Sequence, residues 1–503
     1  MRIFAVLCFS LLASLIACKK DEPAQTSRPV AETKLLSDAS TLDGAGIFSL
    51  LPKETGAFFF WDLSSPAFSR LLDSKWGRTY LTKIGELTRN VPELTKILTA
   101  AGLPLDNPDE LRKSLREALV YLSSGKNGGL ILRTVEGRNI FPALKTAAGN
   151  TEGFQELPQE TFSFNTVVNN QRLTFTVSSQ GDRVLITDSG TSIAEAKGGF
   201  NPTTLQRLSQ GRASTQERIG FGFFELSSLE EAKEVPLESG FVDISMVDKP
   251  AIRLKLKSRE PFKGSSTPPS ADLLKAFPEN PLLFTTFNAG ELRELIENCS
   301  EEARKKLSDS QFAALRTVRR LAIGARVGPQ AALLPVPELI IAAESSEPPT
   351  LVEAIISNAV SAIQGFGLPV QPTETQIAGR KVSVIPGALG LSLHVVELEG
   401  VVLLSSSQEL IARALESGST IPGELAPSLS SSGVGKLYLS FPELAKILGS
   451  ARGMAGLSGG ATARESLNST LSEENLKALA DLGSLISTLT HEGDLLLGEI
   501  NYL

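Results

Sequence analysis

The sequence predicts an α+β body built from one unit written twice: two tandem repeats with mainly antiparallel sheets and helices packed on them. Three observations lead there. Alternating apolar positions such as Leu173/Phe175/Val177, Leu254/Leu256 and Leu391/Leu393/Val395 have the period of a half-buried strand. Turns as short as 125–128 and Glu492-Gly493-Asp494 join neighbouring strands as hairpins, and single helices stand between them, the mixture expected of α+β rather than of a doubly wound parallel sheet. The same blocks also recur in the same order along the chain.

Leu51-Pro52-Lys53-Glu54 followed by Phe58-Phe59-Phe60-Trp61-Asp62 returns as Phe277-Pro278-Glu279-Asn280 followed by Phe284-Thr285-Thr286-Phe287-Asn288. Each is a Pro-marked turn feeding a strand, with a helix behind it at 68–72 and 292–296. Leu130-Ile131-Leu132 corresponds to Leu339-Ile340-Ile341. Val184-Leu185-Ile186-Thr187-Asp188-Ser189 corresponds to Val402-Leu403-Leu404-Ser405-Ser406-Ser407, and 220–229 matches 435–444 without a gap. Each half closes with two strands, at 241–246 and 251–257, then at 487–490 and 494–500. Helix starts are marked: Asn107-Pro108-Asp109-Glu110 supplies a cap, Pro at the first position and an early acid ahead of Leu111, Leu115 and Leu119. Ser228 with Glu231 and Ser406 with Glu409 repeat capping-box spacing. These blocks point to a duplication, with repeats at 47–258 and 272–503. The linker at 259–271 includes Lys263-Gly264-Ser265-Ser266-Thr267-Pro268-Pro269.

Composition narrows the function. With 503 residues, 42% hydrophobic and 21% charged, and a mean hydropathy of +0.05, the chain fits a globular body rather than a disordered or polytopic one. A net charge of −7 argues against binding driven by phosphate neutralisation, so no nucleic-acid partner is expected. Two His and three Cys argue against zinc sites, disulfide frameworks and most His-based catalysis. No metal or other cofactor is expected.

The N-terminus carries the most specific motif. Met1-Arg2 precedes an apolar run from Ile3 to Leu15, the length of a signal-peptide core and too short to span a bilayer. The run ends in Leu15-Ile16-Ala17-Cys18 and turns polar at Lys19-Lys20-Asp21-Glu22-Pro23. This resembles the lipobox of bacterial lipoproteins. The resemblance implies cleavage after Ala17, lipidation of Cys18 and acylation of the new N-terminus. Two or more acyl chains anchor stably where one does not. Residues 1–17 are then a signal peptide, and 18–46 a Ser-, Thr-, Ala- and Pro-rich tether. Lys19, where an inner-membrane retention signal has Asp, points to the outer membrane, with the body facing the periplasm. Cys299, the one remaining thiol beside Cys8 and Cys18, reads as a packed small hydrophobe.

Candidate chemistry in the body is sparse. Gly456-Leu457-Ser458-Gly459-Gly460 has Gly-x-Ser-x-Gly spacing, with Asp481 and His491 following in hydrolase order. A nucleophile elbow needs a strand before the Ser, but 444–448 reads as helix leading into a Gly-rich loop at 452–462, and His491 as a hairpin-turn residue. Ser123-Ser124-Gly125-Lys126 has Ser-x-x-Lys spacing, yet it joins two strands, where the side chains do not converge. His394 reads as a structural strand histidine. No calcium loop or phosphate loop occurs. Among 24 Phe, 4 Tyr and 2 Trp, Trp61 reads as core and Trp76 as an exposed contact residue. Arg304, Lys305, Lys306, Arg316, Arg319 and Arg320 form a basic island, read as a solvated helix face or as a contact for anionic headgroups or cell-wall polymer.

Leu51-Pro52-Lys53-Glu54-Thr55-Gly56-Ala57-Phe58 with Asp62-Leu63 resembles the opening of a family of exported bacterial proteins of unknown function, whose members begin Leu-Pro-x-(Asp/Glu)-Thr, a strand, then Asp-Leu. The second copy departs from it, with Pro281 for Thr and Asn288-Ala289 for Asp-Leu. That resemblance implies an extracytoplasmic character and no catalytic residue. The expectation is a membrane-anchored, non-enzymatic binding or assembly module of the cell envelope, with envelope proteins or lipids as partners. A carrier or sensor of apolar ligands and a serine hydrolase using Ser458 are the alternatives.

Overall fold

The computed structural model describes residues 47–52, 55–74, 92–104, 107–123, 128–168, 171–188, 217–225, 237–246, 249–259, 267–288, 313–314, 316–328, 337–365, 367, 369–387, 392–416, 421–458 and 471–503. They fall into two compact units, divided between Glu260 and Pro261. Unit 1 runs β1 (Thr55–Asp62), α1 (Pro66–Asp73), α2 (Pro92–Ala100), α3 (Pro108–Ser114), β2 (Leu115–Ser123), β3 (Gly128–Thr134), α4 (Phe141–Ala148), β4 (Gln155–Leu157), β5 (Thr161–Val168), β6 (Gln171–Gln180), β7 (Arg183–Thr187), β8 (Arg218–Glu225), β9 (Leu237–Met246) and β10 (Pro250–Ser258). Unit 2 runs β11 (Pro281–Asn288), β12 (Val318–Arg326), β13 (Glu338–Ser345), α5 (Pro348–Gly365), β14 (Thr373–Ile377), β15 (Arg380–Pro386), β16 (Ser392–Leu398), β17 (Val401–Ser405), α6 (Gln408–Glu416), α7 (Ala426–Ser430), β18 (Gly435–Ser440), α8 (Phe441–Ser458), α9 (Glu473–Ala480), β19 (Ser484–Glu492) and β20 (Leu495–Tyr502).

The α+β expectation is corrected. Of the described residues 46% are strand against 29% helix, so the fold is largely β. Apolar residues four apart suit a helix and a strand alike, four being near one helical turn and also two strand repeats. Thus the Asn107 cap forms, with its side chain accepting from Glu110 N–H at 3.2 Å, but the helix stops at Ser114 and Leu115 and Leu119 lie in β2. Ser406 does not cap α6; its hydroxyl accepts from Leu339 N–H at 2.9 Å. The Gly-rich stretch after Arg452 stays helical to Ser458. Trp61 is half-buried and packs against the core, its ring 4.4 Å from that of Phe59. The expected helix at 292–296, the cap at Ser228 and most of the linker lie outside the described residues.

Within each unit the strands pair antiparallel. Unit 1 has the order β4-β5-β6-β7-β3-β2-β1-β8-β9-β10. Unit 2 has the order β14-β15-β16-β17-β13-β12-β11-β18-β19-β20. The orders correspond strand for strand, and so does much of the detail. The bulge between Thr55 and Ala57 on β1 has its counterpart between Pro281 and Leu283 on β11, and that between Leu115 and Glu117 its counterpart between Val318 and Arg320.

Hydrogen bonds between backbone segments correspond too. Val135 N–H donates to Ser114 O at 3.0 Å, and Ser346 N–H to Thr317 O at 2.9 Å. Thr187 Oγ1 donates to Gly128 O at 3.2 Å, as Ser405 Oγ does to Leu339 O at 2.9 Å. Asp188 accepts from Gly128 N–H at 2.7 Å where Ser406 accepts from Leu339 N–H.

Both faces of each sheet are filled. In unit 1 one face is aromatic: Phe48 meets Phe58, Phe60 and Phe221 at 5.7, 5.1 and 5.5 Å, and Phe221 meets Phe241 at 5.6 Å. The opposite face packs Leu132, Val184 and Ile186 with Phe68, Leu71 and Leu144 of the helices. In unit 2 the face carrying Phe284 is otherwise mostly aliphatic, with Ala322, Ala342 and Leu403 under Leu410 and Ile411 of α6. Its opposite face sets Val395 and Val402 against α5.

Candidate functional site

The basic island is the sequence-predicted surface that the structure places in part. Arg316, in the helical residues just before β12, and Arg319, at its start, are exposed, and Arg320 is half-buried beside Arg319. Arg320 is pulled inward because its guanidinium donates to Pro268 O, while Glu344, its cross-strand neighbour, accepts from Ser270 N–H at 3.3 Å. Arg304, Lys305, Lys306, Trp76, Cys18 and Cys299 lie outside the described residues.

Behind Arg320 is a residue that the sequence reading missed. Lys436 on β18 is 3% exposed. Its ammonium donates to Ser428 O at 2.7 Å, Leu429 O at 3.0 Å, Ser431 Oγ at 2.8 Å and also Ser431 O, around the end of α7. Cations belong at helix C-termini, where the last carbonyls lack intrahelical donors. Burial, reinforced by the Arg320 charge, lowers its pKa to about 8. With every ammonium proton engaged, Lys436 clamps the chain around α7 and is not poised as a nucleophile. The signal in the sequence is a lone Lys in Gly435-Lys436-Leu437-Tyr438-Leu439, at the register position of Phe221.

A second charged group spans β12, β13 and α6. Arg326, 8% exposed, bonds Glu338 at 2.7 Å and Glu409 at 3.0 Å. Glu409 also holds Arg413 at 2.8 Å, and Arg413 meets Glu279. Only Arg326 is buried, and its two carboxylates supply the partners that a buried charge requires, while Glu409, Arg413 and Glu279 extend the alternation of signs into solvent. In unit 1 the buried pair is Arg218 and Asp243, at 3.8 Å, with Arg218 over the Phe221 ring at 5.4 Å.

The catalytic alternatives are not assembled by their local structure. Ser458 ends the eighteen-residue helix α8, so no strand leads into it. Asp481 caps α9, and His491 is a β19 residue opposite Leu496 rather than a turn residue. His394 is buried in β16 between Val384 and Ser405, and its Nδ1 has no hydrogen-bond partner. Burial lowers its pKa, with backbone groups of Ser405 and Ser392 opposing in part. Ser123 ends β2, and Lys126 lies outside the described residues.

Among the described residues, no group of three or more His, Cys, Asp or Glu could hold a metal ion, and no helix is long and apolar enough to cross a membrane. No protein-family model, curated protein or solved structure matches the chain.

Proposed function

We propose that this chain is a lipid-anchored protein of the bacterial cell envelope whose body is a non-enzymatic binding or assembly module. The observation that carries the anchor is Leu15-Ile16-Ala17-Cys18 behind an apolar run. The state of the chemistry-bearing side chains supports a binding role. Lys436 is saturated by carbonyl and hydroxyl oxygens and Arg326 by carboxylates, and Ser458 is the last residue of a helix rather than the end of a strand. The body offers exposed charge instead, with Arg316 and Arg319 among the contact candidates.

The anchor is tested by Cys18→Ala, which should abolish labelling by a fatty-acid probe and release the chain from the membrane fraction. Unchanged fractionation and labelling would remove the reading. The binding role is tested by cross-linking in intact envelopes. Recurrent capture of the same envelope component, weakened by Arg316→Glu/Arg319→Glu, is expected. Turnover of an ester substrate, lost in Ser458→Ala, would overturn it.

A second reading, a carrier of apolar ligands, is favoured by the concentration of rings around Phe221 in unit 1. Stoichiometric lipid in mass spectra of the protein purified without detergent would prefer it.

A further inference from the structure

The strand β14 ends the sheet of unit 2 with an open edge. Among the described residues it pairs only with β15, from Thr373 opposite Val384 to Ile377 opposite Arg380, with no bulge. Thr373, Glu374, Thr375 and Gln376 are exposed, and Ile377 is buried. The side of β14 away from β15 therefore presents backbone N–H and C=O groups without a ladder partner, a template for a further strand. Edges are ordinarily blunted by charge, by Pro, by bulges or by shortness. Pro372 bounds β14 at one end, but no Pro lies within it. Its one charge, Glu374, is taken up inside its own hairpin by Lys381 Nζ at 2.7 Å.

The corresponding edge of unit 1 is built otherwise. There β4 has three residues, is followed by Pro158, and has its middle residue, Glu156, drawn to Lys145 of α4 at 2.8 Å. Two copies of β4 paired about their centre would set Glu156 against Glu156.

The same operation on β14 meets no like charge. A two-fold axis at Thr375 aligns all five residues antiparallel, Thr375 with Thr375, Glu374 of one copy with Gln376 of the other, and Thr373 with Ile377. The Gln amide can donate to the carboxylate it faces. We propose that β14 is a self-association edge, to which a second copy of this chain adds its own β14 antiparallel. The sheet of unit 2 then runs on from one copy into the other, and an isologous contact of this kind closes at two copies. The contact is only about 17 Å long, small beside a standard interface, so the pairing is reversible. Self-pairing at β14 goes beyond the binding role proposed above and does not depend on lipidation of Cys18.

The test uses the full-length chain carrying Cys18→Ala, so that no acyl chain gathers copies into micelles. Sedimentation velocity should show a dimer that dissociates on dilution. Gln376→Glu places an acid beside Lys381 within each copy, yet sets it against Glu374 of the other copy twice per dimer. It should raise the dissociation constant about tenfold without lowering the melting temperature. Thr375→Lys and Thr375→Glu should each weaken self-pairing about fivefold, and an equimolar mixture of the two should restore it. Glu156→Gln, on the edge of unit 1, should leave the dimer unchanged. A chain that stays monomeric at millimolar concentration would overturn the proposal. So would a dimer indifferent to Gln376→Glu, or a mixture of the Thr375 variants that fails to pair. Capture of a different protein, in place of a second copy, by a photoreactive side chain at position 375 in intact envelopes would overturn it too.

Discussion

Units 1 and 2 share a ten-strand order, the register of their central strands and two bulges, yet they fill that frame with different chemistry. At the position where unit 1 buries the Phe221 ring, unit 2 buries the Lys436 ammonium. Where Tyr121 lies over Gly129, unit 2 has Gly324 opposite Ile340, the large and small partners exchanged across the pair. Where Glu117 faces Arg133, Arg320 faces Glu344, and the signs are reversed. Backbone pairing is thus indifferent to which partner carries the bulk or the charge, provided that volume and charge close locally across neighbouring strands.

The largest break in the comparison should come from the aromatic face. Phe221→Ala removes a ring that contacts Phe48, Phe58, Phe60 and Phe241 and should cost unit 1 about 4 kcal/mol. Both tryptophans, Trp61 and Trp76, belong to unit 1, so the denaturant midpoint followed by tryptophan fluorescence should drop. If the loss is confined to unit 1, a separate phase in circular dichroism should remain in place.

Lys436 should separate the units by pH. Its folded pKa of about 8 lies below the ordinary 10.5, so between these values the unfolded chain holds a proton that the folded chain has released. Stability therefore rises with pH across this window, by an amount on the order of 3 kcal/mol. Denaturation of the wild type and Lys436→Met at pH 7 and pH 10.5 isolates the effect. A difference between the two proteins that stays constant with pH would contradict it.

The exchanged pair gives a graded contrast. A Cβ on Gly324 would stand 1.9 Å from Ala276 O, a backbone atom that cannot turn aside; on Gly129 it would stand 2.4 Å from the Tyr121 ring, which can tilt. Gly324→Ala should therefore cost about 3 kcal/mol and Gly129→Ala about 1 kcal/mol, read as melting shifts. The smallest effect concerns corresponding hairpins. Unit 1 turns from β4 to β5 through Gln159 and Glu160, and unit 2 from β14 to β15 through Ala378 and Gly379, with Ala378 at φ 47°. Ala378→Asn suits that left-handed turn and should stabilise unit 2 by about 1 kcal/mol.

Much of the frame was legible because it is written locally. The apolar run Phe58-Phe59-Phe60-Trp61 and the alternation Leu173/Phe175/Val177 both fall in strands, and Gly493 turns the last hairpin at φ 62°. The share of helix was overread because Leu111, Leu115 and Leu119 satisfy two periods at once. Compensation across strands was not legible, since Tyr121 and Gly129, or Arg326 and Glu338, become neighbours only through pairing. Lys436 was hidden for the same reason: an isolated Lys in a strand reads as solvent-facing until the carbonyls of α7 close over it. In the candidate site, Arg319 is exposed as a basic-island residue should be, whereas Arg320 is drawn to Pro268 by a contact no local pattern announces.

The strand that opens each unit lies well inside its sheet, not at its edge. Phe60 of β1 pairs with Leu119 on one side and with Phe221 on the other, so a chain emerging from its N-terminus cannot finish that sheet until β8 has followed. Long separations between paired residues slow folding. Were the chain exported, as proposed above, such a delay would keep the first unit open to threading until β8 had been made.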